Sequence, residues 1–127
     1  MKLLLDTHAF LWFVMGDPRL SRRARQAMGA RTAELYLSAA SVWEMAIKVG
    51  LGRLSLPAPL PDYLQEKMDM GFRILPVEWP TAARVATLPL HHRDPFDRLI
   101  IAHGLTDRVP IVSGDTQFRL YGASIIW

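Results

Sequence analysis

Four acidic residues stand where strand-forming runs give way to helix starts. They are Asp6 in Leu3-Leu4-Leu5-Asp6-Thr7-His8, Glu44 in Ser41-Val42-Trp43-Glu44-Met45-Ala46-Ile47-Lys48, Asp97 in Asp94-Pro95-Phe96-Asp97-Arg98, and Asp115 in Ile111-Val112-Ser113-Gly114-Asp115. Each has an ordinary structural job open to it. Asp6 suits the cap of a following helix, and Glu44 can pair with Lys48 at i+4. Asp97 is the third residue of a helix start in which Asp94 caps and Pro95 takes the first position, and Asp115 suits a turn. Capping does not require all four to fall at one edge, however, and the neighbours of Glu44 are almost all apolar, so a buried Glu44 needs a partner. Two carboxylates brought to roughly 4 Å repel by about 4 kcal/mol at an effective dielectric of about 20. Several in one cleft therefore protonate or take up a cation. With no cysteine in the chain, the donors are oxygen or imidazole, and a hard divalent ion such as Mg²⁺ or Mn²⁺ suits the oxygens. Such a site activates water for phosphodiester hydrolysis.

The elements that must position these acids alternate in kind. Short apolar runs at residues 2–5, 35–37, 74–77, 109–112 and 124–127 do not alternate with polar residues, so they read as strands buried on both faces. Between them, residues 20–28, 40–49, 61–70, 81–88 and 95–103 carry helical periodicity. The clearest is 20–28, with Ser21 to cap it and Gly29 to end it. Strands alternating with helices predict an α/β fold, a parallel sheet with helices on both faces. In such sheets ligands bind beyond the carboxyl ends of the strands, where the four acids fall.

At 127 residues, half of them hydrophobic, the chain holds one domain, residues 1–127, with one core. The longest unbroken apolar run, residues 9–15, falls short of the roughly 18–20 residues of a membrane span, and the early Asp6 breaks any signal-peptide pattern. A cytoplasmic protein is expected. The formal net charge of +3 is compatible with a polyanionic partner.

From Leu3 to Trp127 the chain resembles PIN-domain endoribonucleases, and within them the VapC-type toxins of bacterial toxin–antitoxin pairs. The resemblance runs through Asp6-Thr7-His8, residues 38–48, Gly50-Leu51-Gly52-Arg53-Leu54, residues 88–102, Ser113-Gly114-Asp115 and the closing strand. It implies a single PIN-like domain with a five-stranded parallel sheet, RNA cleavage dependent on Mg²⁺ or Mn²⁺, homodimerisation, and inhibition by a cognate antitoxin. The family's acidic set falls on Asp6, Glu44, Asp97 and Asp115. Asp6, Asp97 and Glu44 would hold the principal ion, directly or through water, and Asp115 a second ion or the attacking water. Asp94 is a further acid, expected to cap. Thr7 and Ser113 match small hydroxyl positions beside the site.

Other residues invite chemistry with less support. Lys48 and Arg98 each neighbour a proposed ligand and are candidates to steady a scissile phosphate. His91-His92 lacks the i,i+4 spacing of a metal pair and reads as loop, while His103 shares a helical stripe with Phe96, Leu99 and Ile100 and reads as packed. Arg19, Arg22, Arg23 and Arg25 read as a solvated basic face. Trp12, Trp43, Trp79 and Trp127 could stack on bases, but their apolar surroundings favour core or dimer interface. No Gly-x-x-x-x-Gly-Lys loop or Gly-x-Ser-x-Gly elbow is present, and Asp6-Thr7-His8 lacks the second acid of an aspartyl-nucleophile phosphatase. The alternative to a nuclease is a PIN-like scaffold that binds RNA or a partner without cutting.

Overall fold

Strand β1 (Lys2–Leu5) is the middle strand of a five-stranded sheet of order β3-β2-β1-β4-β5, in a computed structural model that describes residues 1–127. It pairs in parallel with β2 (Glu34–Ser38) and β4 (Ile111–Val112); β3 (Arg73–Leu75) and β5 (Ile125–Ile126) add outside them, also in parallel. A strand sends successive side chains to opposite faces, so three consecutive leucines serve two cores, one on each face of the sheet, in place of the single core expected. Leu3 and Leu5 join Phe10, Met28, Met45, Tyr63 and Phe72 on one side. Leu4 joins Ile100, Ile101, Ile111 and Phe118 on the other. That pattern is the continuous apolar run of a strand covered on both faces.

The first core is covered by α1 (Thr7–Met15), α2 (Arg22–Met28), α3 (Ala39–Gly50) and α4 (Leu60–Asp69). The second is covered by α6 (Pro95–Asp107) with the 3₁₀ turns Val85–Thr87 and Thr116–Tyr121, while α5 (Trp79–Arg84) packs along α6. A Cβ at Gly104 would lie 2.5 Å from Ile111 Cδ1, so α6 comes closer to β4 than any other residue there would allow.

The predicted elements are present with shifted ends. β3 stops at Leu75 and β4 starts at Ile111 because Pro76 and Pro110 have no N–H to give a ladder. The predicted helix at 81–88 is α5 followed by a 3₁₀ turn, and α6 runs on to Asp107. Two elements have no counterpart in the periodicity. Helix α1, Thr-His-Ala-Phe-Leu-Trp-Phe-Val-Met, is apolar nearly all round and so shows no stripe. The turn Thr116–Tyr121 is too short to show a period.

The chain leaves β1 for β2 on one side and returns through α6 to β4 on the other. The order therefore reverses between β1 and β4, and the crevice beyond their carboxyl ends is bounded by Asp6 and by Ser113 to Asp115. No helix is long and apolar enough to cross a membrane.

Candidate active site

Asp6 follows β1 directly and caps α1, its Oδ1 accepting the Ala9 N–H at 2.6 Å. Asp115 caps the turn after β4 in the same way, Oδ1 accepting from Gln117 N–H at 2.9 Å. The ordinary structural job of each is thus done by one carboxylate oxygen; the other Asp115 oxygen, Oδ2, meets His92 Nε2 at 2.7 Å. Glu44 stands in the second turn of α3, buried, with Oε1 accepting from the Thr7 hydroxyl at 2.6 Å and Oε2 from Lys48 Nζ at 2.8 Å. Lys48 therefore neutralises an acid from behind.

Asp97 differs from the other three. Asp94 caps α6, its Oδ1 accepting from both Phe96 N–H at 2.8 Å and Asp97 N–H at 3.1 Å. The cap is filled, and the Asp97 carboxylate takes no backbone donor; its contact is His92 Nε2, 3.2 Å from Oδ2. Burial, and then the charges of Asp94, Asp6, Glu44 and Asp115, push its pKa from 3.8 to about 8. Asp6 is raised as well, chiefly by burial, with the Ser113 hydroxyl and the Ala9 N–H pulling the other way. Ser113 also accepts the Asp115 N–H at 3.1 Å, which fixes the turn between two of the acids. Without a cation the cluster is overcharged, and a proton on Asp97 relieves it.

Asp6, Asp97 and Asp115 line an open cleft of about 530 Å³. Glu44 stands behind them rather than on the wall, electrostatically coupled to Asp97. The rest of the lining is His8, Trp12, Arg19, Gly114 and Trp127. Oxygen donors from separate elements, converging where they repel one another, fit a hard divalent cation with water or phosphate completing its coordination.

Arg98 does not face the cleft, contrary to expectation. It is buried at 8 % exposure, donating to the carbonyls of Pro89 at 2.8 Å and Val85 at 3.0 Å and to the Tyr121 hydroxyl oxygen at 3.3 Å. A guanidinium whose two Nη groups are spread over several carbonyls is a staple for the 85–92 loop. The same Tyr121 oxygen accepts the N–H groups of His91 and His92 at 3.0 and 2.7 Å.

What this staple holds in place is His92, which lies in a loop but faces the site. Its ring is buried, with Nε2 2.7 Å from Asp115 Oδ2 as well as 3.2 Å from Asp97 Oδ2. One donor atom from each of the three lies within 4.8 Å of the others, a spacing that suggests a shared metal. The far side of the ring argues otherwise: Nδ1 accepts the Asp94 N–H at 3.1 Å, which places the ring proton on Nε2. His92 is therefore a donor that ties Asp115 to Asp97, not a ligand. The missed signal was position, because a residue two before the cap of α6 must lie at the helix start that carries Asp97. His91 does turn away, its ring edge-on to Tyr121.

The tryptophans divide. Trp12 and Trp127 pack at the edge of the first core and form part of the cleft; Trp43 and Trp79 are exposed, at 63 and 80 %, and are not core. His103 is buried as expected, and burial lowers its pKa.

Three similarities bear on this arrangement. The chain is 31 % identical over 118 residues to Ribonuclease VapC22 of Mycobacterium tuberculosis, covering 92 % of this chain and 89 % of that one. It superposes on a chain of VapBC2 from Rickettsia felis, bound to a DNA fragment from their promoter, with TM-score 0.69 at 14 % identity, over 98 % of this chain and 97 % of the other. It does so on FitAcB from Neisseria gonorrhoeae with TM-score 0.67 at 23 % identity, over 97 and 95 %. These two are likenesses of fold. The PIN domain family model matches residues 3–123, from the strand that delivers Asp6 to beyond the turn that Asp115 caps, and by that match this chain belongs to the PIN domain family.

Proposed function

We propose that the chain is a divalent-cation-dependent endoribonuclease, the toxin of a toxin–antitoxin pair, hydrolysing RNA phosphodiesters with water as nucleophile. One observation carries the reading. Asp6, Asp97 and Asp115 converge on one cleft, and Asp97, relieved of capping by Asp94, is pushed to a pKa of about 8 by burial and the charges of Asp94, Asp6, Glu44 and Asp115, a crowding that a cation relieves. Membership of the PIN domain family and likeness to a protein named as a ribonuclease support the substrate class.

Asp6, Asp97 and Asp115 would hold Mg²⁺ or Mn²⁺ directly. Glu44 would act through water, since both its oxygens are already engaged by Thr7 and Lys48. When bound, such an ion neutralises phosphate charge and makes water a nucleophile near neutral pH. The chain's own part is orientation. His92 fixes Asp115 relative to Asp97, Ser113 fixes the turn, and Asp115, the most open of the acids, aligns the attacking water. Attack on phosphorus expels the 3′-oxygen and leaves the phosphate on the downstream fragment's 5′ end.

The structural neighbours that contain VapBC and FitA–FitB complexes support an antitoxin partner. An acidic cleft is best blocked by an Arg or Lys carried on its segment. Homodimerisation is assigned to α3 and its C-cap, where Trp43, Ile47 and the capping Leu51 form an exposed apolar stripe at i, i+4, i+8. We infer a cytoplasmic location, where RNA and an antitoxin would both be met. The test is cleavage of a labelled single-stranded RNA panel with Mn²⁺ or Mg²⁺, alongside EDTA and Asp97→Asn. Cutting lost in both controls is expected; equal cutting by the variant, or RNA binding without cutting, would overturn the reading, the latter in favour of a scaffold.

A further inference from the structure

The cleft is lined by two unlike sets of residues. Beside the acids in the same cleft stand Trp12 and Trp127, with ring centroids 6.0 Å apart and planes tilted by 54°, so the two indoles adjoin. Arg19 lies over the Trp12 ring at 5.0 Å and is held there by Asp17, whose carboxylate takes its Nε and Nη2 at 3.1 and 2.8 Å. His8 lies 5.5 Å from Trp12 on the cleft side. Trp127 is set against the turn that carries Asp115: a Cβ at Gly114 would come within 2.7 Å of its ring, so glycine is what lets an indole lie beside the acid. An adjoining groove of about 200 Å³ shares His8, Trp12 and Arg19 and adds Lys48 and Arg53.

Aromatic faces next to cations, opening onto a metal-type acidic cluster, are the parts that hold single-stranded nucleic acid: rings stack on bases and basic side chains follow the phosphates. We propose that Trp12 and Trp127 form a nucleobase subsite for the nucleotide flanking the scissile phosphate, with Arg19 on its phosphate and Lys48 and Arg53 marking the strand's path out. Specificity for base over bare backbone resides in these indoles. The assignment rests on the nuclease reading for its substrate class. A peptide's cationic side chain is drawn to the acids of the cleft, whereas the indoles beside Arg19 suit a base and its phosphate.

The measurement is anisotropy of a labelled single-stranded oligoribonucleotide and of an abasic ribose-phosphate oligomer of the same length, at low salt in EDTA. The full chain is compared with Trp12→Leu, Trp127→Leu, Arg19→Gln and, as a control far from the cleft, Trp79→Leu, all checked by circular dichroism. The wild type binds the base-bearing strand about tenfold more tightly than the abasic one. Either cleft Trp→Leu change brings that ratio towards one, Arg19→Gln weakens both ligands alike, and Trp79→Leu changes neither. A ratio near one in the wild type, or an unchanged ratio in both tryptophan variants, overturns the subsite. So does loss of an arginine-bearing peptide's binding in the tryptophan variants with the RNA ratio intact, which would give the indoles to a protein partner. A base-dependent ratio in a chain that does not cut with Mn²⁺ leaves the subsite and removes the nuclease; Mn²⁺-dependent cutting without a base-dependent ratio does the reverse.

Discussion

Asp97 links the acid cluster to pH. Its folded pKa of about 8 lies above the ordinary 3.8, so the metal-free folded chain binds a proton more tightly than the unfolded one does. Stability from this group is fully present below about pH 4 and is lost as pH rises through about 8. Asp6, raised in the same direction, adds to the slope. In EDTA the melting temperature should therefore fall between pH 5 and pH 8, and Asp97→Asn should flatten the fall and melt higher than wild type at pH 8. A melting temperature that climbs across that window would contradict the burial of these carboxylates. His92 is the second test at this scale. Removing a residue that orients metal ligands costs roughly 10- to 100-fold in metal affinity or activity, so His92→Ala should lose that much. His92→Gln, which keeps an N–H donor in the Nε2 position, should recover most of it; if Gln is no better than Ala, donation to Asp115 is not the role of the ring.

The loop from Val85 to His92 is held at the scale of elements, by α6 and the turn Thr116–Tyr121 rather than by its own sequence. Arg98 and Tyr121 satisfy its carbonyls and amides. Arg98→Met would leave several of those carbonyls unpaired in a buried place, at about 1–3 kcal/mol for each group stranded. Urea unfolding should show the loss, and RNA cleavage should fall with it because His92 is no longer aimed. A variant as stable as wild type would mean that water replaces the guanidinium. The legible part of the fold was what periodicity carries: five strands, most of the helices and the acids at strand ends. Residues whose role depends on contacts distant in sequence were not legible. Arg98 stands one residue from Asp97 but faces away from it, and His92 reaches Asp115 across 23 positions. Trp12 and Trp127 meet only because β5 returns beside β4, and nothing in the spacing of two residues so far apart announces that.

For the whole molecule, the acids and the exposed surface make separate demands. Helix α3 contributes Glu44 inward and the Trp43, Ile47, Leu51 stripe outward, so the surface assigned to self-association shares an element with the site. Ile47→Lys should shift the chain from dimer to monomer by sedimentation equilibrium without unfolding it, since Ile47 is already 39 % exposed; an unchanged dimer would move the interface elsewhere. Catalysis depends on the cluster taking a divalent ion. The direct measurement is calorimetric titration of Mn²⁺ into the metal-free chain at pH 7, in two buffers of different ionisation enthalpy, with Asp97→Asn beside it. Binding should release close to one proton at pH 7, tighten as pH rises and level off above about 8, and it should be lost or much weakened in the variant. Binding of equal strength in Asp97→Asn, or no Mn²⁺ uptake by the wild type, would contradict the account.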